Sequence, residues 1–99
     1  MHIKNNVEGF ELMIKALLSV DNAEEYEDFL SDLCTIPEIQ AMSQRVQVAK
    51  MLHQKKVYNE ICKETGASTA TISRVNRCLN YGTGAYKNIF ARLEENGEL

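Results

Sequence analysis

The sequence predicts an all-α protein of about six short helices, and three observations point to it. Apolar residues recur three and four apart over most of the chain, the period of a helix that buries one stripe, and no segment reads as a strand. Cap chemistry stands ahead of these stripes at Asp21-Asn22, Thr35 and Ser68, and breaks fall at Gly66 and at Tyr81-Gly82-Thr83-Gly84. One proline and five glycines in 99 residues, with 44% hydrophobic content, place the chain far from disordered or collagen-like compositions.

Phe10, Met13, Ile14, Leu17 and Leu18 form the stripe of a first helix, about Val7 to Val20. Asp21-Asn22 supply the cap of a second, about Ala23 to Cys34. Its Glu24 and Glu25 stand at the positive end of the helix dipole, and Tyr26, Phe29, Leu30 and Leu33 face inward. Thr35-Ile36-Pro37-Glu38 starts a third helix: Thr35 caps the backbone, Glu38 three residues on closes a capping box, and proline is tolerated in a first turn. That helix runs to about Gln54 on Ile39, Met42, Val46, Ala49 and Leu52. Two helices follow between Val57 and Asn80, and a last one, about Ala85 to Leu93, offers Tyr86, Ile89, Phe90 and Leu93 as its buried face.

Ninety-nine residues make one domain, and so short a chain with this many apolar faces calls for a second copy to cover them. Residues 1–54 and 85–93 are the expected dimerisation helices. No apolar run approaches the ~20 residues that span a bilayer. The start Met1-His-Ile-Lys-Asn-Asn lacks the layout of a secretory signal, so a cytoplasmic location is expected. Cys34, Cys62 and Cys78 are too few and too scattered for a disulfide framework or a zinc site and read as reduced, mostly buried thiols. His2 and His53 read as tail and surface residues without ligand-spaced companions, so neither enzyme chemistry, a metal nor a cofactor is expected.

The net charge of −3 conceals a segregation of sign. Residues 1–42 hold two lysines against nine acids, whereas residues 43–92 hold nine basic residues against Glu60 and Glu64. The basic half is the candidate face for nucleic acid.

Within it, Val57 to Asn80 has the layout of a helix-turn-helix. An apolar residue followed by a small one, Ile61-Cys62, lets a second helix approach the first, and Gly66 is free to take a positive φ at the turn. Ser68 caps the second helix, and Ile72 and Val75 lock it on the first. Thr69, Ala70 and Ser73 are left outward near its start, where base edges are reached in a major groove. Arg45, Lys55, Lys56, Lys63, Arg74 and Arg77 suit phosphates.

Leu33-Cys-Thr35-Ile-Pro37-Glu38, Ser43-Gln-Arg45-Val46 and Glu64-Thr-Gly66-Ala67-Ser-Thr-Ala70-Thr71-Ile72-Ser73-Arg74 resemble, in order and spacing, the core of the Trp repressor. The string from Gly66 to Gly82 is similar to the YerC/YecD branch of that superfamily. The resemblance covers about Leu30 to Leu93. It implies a six-helix Trp repressor-like fold, an intertwined homodimer, and repression through a double-stranded DNA operator. It also matches Thr35, Arg45, Thr71 and Arg74 to a small-ligand pocket, with two departures, Val75 for a glycine against which an indole lies and Cys78 for a serine. Those departures imply a regulator that does not respond to tryptophan, with any effector unidentified. Arg45 and Arg74 stay open between phosphate contacts and ligand residues. A helical adaptor module that binds another protein through the acidic half is the rival reading.

Overall fold

The computed structural model of the protein describes residues 3–99, apart from the side chains of residues 4 and 5; His2 lies outside them. Among the described residues the regular structure is helical: a single turn α1 (Ile3–Asn6), then α2 (Phe10–Leu18), α3 (Ala23–Leu33), α4 (Ile36–His53), α5 (Tyr58–Thr65), α6 (Thr69–Tyr81) and α7 (Ala85–Glu95). The six expected helices are all present. The first starts at Phe10 and not at Val7, because Gly9 takes a left-handed φ of 82° just ahead of it. The chain forms two compact units, Met1–Ile39 and Gln40–Leu99, and α4 runs from one into the other.

In the first unit the caps form as their residue types dictate. The Asn22 side chain accepts from the Glu25 amide at 2.9 Å, and the Tyr26 hydroxyl donates to the Leu17 carbonyl at 3.1 Å, tying α3 to α2. Thr35 Oγ1 accepts from the Glu38 amide at 3.3 Å while Glu38 Oε1 accepts from the Thr35 amide at 2.8 Å, the reciprocal pair of a capping box. The Thr35 N–H, and then its hydroxyl, lower the pKa of the Glu38 carboxyl from its ordinary value by favouring the charged form. The apolar stripes are less buried than the spacing predicts. Phe10, Leu17, Phe29 and Leu30 are half-buried, but Met13, Ile14, Leu18, Tyr26 and Leu33 face solvent, Leu18 at 77% exposure. Neither α2 nor α3 has a buried residue, since two short helices present more apolar surface than they can cover between themselves.

The second unit holds the core: Val48, Ala49, Met51 and Leu52 of α4, Ile61 of α5, Ala67 in the turn, Ile72, Val75 and Leu79 of α6, and Phe90 of α7. Here α4 corrects the sequence reading. Ala49 and Leu52 are buried as expected, and so are Val48 and Met51, while Val46 is 51% exposed and Met42 is exposed too. At about 100° per residue, Val46 sits roughly 160° around the helix from Val48. The helix therefore has two apolar faces, one covered by its own chain and one open. Likewise α7 buries Phe90, with Tyr86 and Leu93 half-buried, and leaves Ile89 exposed.

Two further expectations change. The cysteines are free: Cys62 is half-buried and packs against the core, Cys34 is half-buried at the end of α3, and Cys78 is exposed. His53 is no isolated surface residue: its Nε2 lies 3.0 Å from Glu94 Oε1 and its ring 5.5 Å from that of Phe90, joining the ends of α4 and α7. Lys55 ends α4 with a φ of 66°, and the Lys56 and Lys55 amides bond back to the carbonyls of Met51 and Leu52, both at 3.0 Å. This is a Schellman closure with lysine where glycine is usual.

Candidate nucleic-acid interface

The interface is built on α5, the turn and α6. Ile61 is fully buried on α5, and Gly66 at φ 73° stops that helix with its amide on the Cys62 carbonyl at 2.9 Å. Ala67 then drops into the core. Ser68 Oγ accepts from the Thr71 amide at 3.1 Å and starts α6. Ile72, Val75 and Leu79 fix α6 by its buried side.

The opposite side is free. Thr69, Ala70, Ser73, Arg74 and Arg77 are all exposed. At about 100° per residue, Ala70, Ser73, Arg74 and Arg77 fall within roughly 60° of the line facing away from the buried stripe, and Thr69 lies on the flank. Sequence reasoning passed over Tyr81, which is on the same side and 87% exposed. Lys55 and Lys63 are exposed as well, whereas Lys56 is half-buried with Nζ 3.4 Å from Glu60 Oε1. Small side chains near the start of the helix, with Arg74 and Arg77 on the same exposed side, can approach base edges while the cations meet phosphates.

Beside α6 lies a cleft of about 340 Å³ lined by Ala41, Gln44, Arg45, Thr71, Arg74, Val75, Cys78 and Tyr86. Five of the six expected pocket residues thus meet there; the sixth, Thr35, belongs to the first unit and caps α4. Val75 is 2% exposed, so its side chain is held in the core and space remains beside it. Ala41, Gln44 and Tyr86 were not foreseen. The one sequence signal for Ala41 and Gln44 is their place seven and four residues before the buried Val48, on the same side of the helix. Among the described residues no cluster of His, Cys, Asp or Glu is arranged to hold a metal, and no helix is long and apolar enough to cross a membrane.

Comparison with known proteins bears on this geometry. The family model for the Trp repressor protein matches residues 8–94. The uncharacterized protein YerC of Bacillus subtilis (strain 168) is 50% identical over 93 residues, covering 92% of this chain and 89% of its own. The crystal structure of a TrpR-like protein from Eubacterium eligens superposes with a TM-score of 0.88 at 48% identity, over 94% of this chain and 96% of that one. A candidate Trp repressor from Staphylococcus aureus gives 0.88 at 46% identity, over 95% of each chain.

Proposed function

From the premise that this chain belongs to the Trp repressor family of helical DNA-binding regulators, we propose that it is a cytoplasmic repressor that reads a specific operator as a symmetric homodimer. The observation that carries this reading is the outward side of α6, where Thr69, Ala70 and Ser73 stand exposed beside Arg74 and Arg77. In it Thr69, Ala70 and Ser73 touch bases, and Lys55, Lys63, Arg74 and Arg77 touch phosphates, with Arg45 a more enclosed contributor. Lys56 joins them by leaving Glu60, a solvent-open pair that holds it weakly. The open apolar faces of α2, α3 and α4 support the dimer, in which 1–54 and 85–93 pair and 57–80 projects. Val75 and Cys78 support independence from tryptophan: they stand where the family has a glycine and a serine, and Val75, itself packed in the core, replaces the bare backbone beside the cleft. A ligand-gated variant draws on the cleft itself, which keeps both Arg45 and Arg74 in its lining.

The test separates bases from phosphates. Ser73→Ala changes which duplex is preferred, with discrimination of about 1 to 3 kcal/mol per good contact. Lys63→Ala weakens binding evenly across sequences and lowers the salt slope by about one. Fluorescence anisotropy on a panel of duplexes at several salt concentrations reads both. An unchanged preference in Ser73→Ala, or a changed one in Lys63→Ala, overturns the assignment.

A further inference from the structure

The turn between α5 and α6 has a polar account that closes on a residue from outside it. The last carbonyls of a helix lack partners within it. Here the Cys62 carbonyl takes the Gly66 amide, and the Ile61 carbonyl takes the Thr65 hydroxyl at 2.7 Å. That hydroxyl oxygen accepts in turn from the Ala67 amide at 3.1 Å. The Thr65 carbonyl takes Gln44 Nε2 of α4 at 3.1 Å, across 21 residues of sequence and in a part-buried setting.

Gln44 stands where packing alone favours an apolar side chain. It lies four and eight residues before Val48 and Leu52, so it continues the stripe that α4 buries. Apolar contact among Ile61, Ile72 and Val75 holds the two helices against α4 but is non-directional and tolerates small slides. A hydrogen bond sets distance and angle together. The bond ends on Thr65, three residues before the Ser68 cap and four before Thr69, so it fixes the part of the chain from which α6 departs.

We propose that Gln44 is a positioning residue for DNA reading: its amide anchors the turn to α4 and sets the pose in which α6 presents Thr69, Ala70 and Ser73. This rests on the DNA-binding reading above. Base contacts need that pose within a fraction of an ångström, whereas phosphate contacts from long, flexible side chains absorb a small rotation. Loss of the anchor therefore lowers discrimination more than it lowers binding to unselected DNA.

The experiment uses Gln44→Met, which keeps length and packing without a donor, and Gln44→Glu, which keeps the shape but turns carboxylate oxygens toward the Thr65 carbonyl. For each, affinity for the preferred duplex and for random duplex is measured against salt, alongside melting and amide exchange at Gly66 and Ala67 in the free protein. With Gln44→Met the ratio of preferred to random affinity falls roughly three- to tenfold, the effect of one hydrogen bond. The salt slope holds, the melting temperature falls by a few degrees, exchange at Gly66 and Ala67 quickens, and Gln44→Glu loses more. A Gln44→Met protein that discriminates like the wild type overturns the proposal, as does a loss equal on both duplexes and in step with stability. Should the wild type itself show no preferred duplex, the DNA reading falls and takes this role with it; a discriminating wild type with an indifferent variant removes the role alone.

Discussion

Ile72→Ala is expected to destabilise the second unit by about 2 to 5 kcal/mol and to abolish DNA binding at temperatures where the wild type is active. Ile72 is fully buried and shares one cluster with Val48, Ile61 and Phe90, drawn from the three other helices of that unit. Removing its outer carbons loses both the transfer free energy and the packing around them. Its helix also carries the outward face of the interface, so lost stability appears directly as lost function. Urea denaturation followed by circular dichroism measures the change, and a loss under about 1 kcal/mol contradicts the packing described.

Val46→Asp is expected to act on association instead of on the fold of one chain. In a single chain Val46 is 51% exposed, so a carboxylate there stays hydrated and costs little. In the proposed dimer that face of α4 is covered by a second copy, and an isologous contact places the two-fold-related substitution in the same interface. Burying an unpaired charge shifts the equilibrium by several kcal/mol, enough to raise the dimer dissociation constant about a hundredfold or more. Sedimentation equilibrium at micromolar concentration reports it. Unchanged association in the variant, or a stable folded wild-type monomer, contradicts the dimer.

What was legible in the sequence was what depends on near neighbours. Asn22, Thr35 and Ser68 each sit within three residues of the amide they cap, and Gly66 needs only its own φ to mark the turn. The layout of Ile61, Gly66, Ser68, Ile72 and Val75 therefore located the two helices and, by subtraction, the exposed residues of α6. The two faces of α4 were not legible, because a single stripe through Met42, Val46 and Ala49 fits the helical repeat as well as the true one. Deciding between them takes knowledge of which neighbours cover the helix. Gln44 with Thr65 and His53 with Glu94 stand 21 and 41 residues apart, and no local pattern pairs them. Cys78 followed the same limit: its exposure depends on the space beside α6 that opens into the cleft.

Selection of bound duplexes from a random-sequence pool, without added tryptophan and at two salt concentrations, tests the central claim most directly. The account predicts enrichment of one two-fold-symmetric sequence, bound with an affinity that falls steeply as salt rises because several phosphates are neutralised at once. A protein that retains no duplex even at low salt, or that enriches no sequence from the pool, contradicts it.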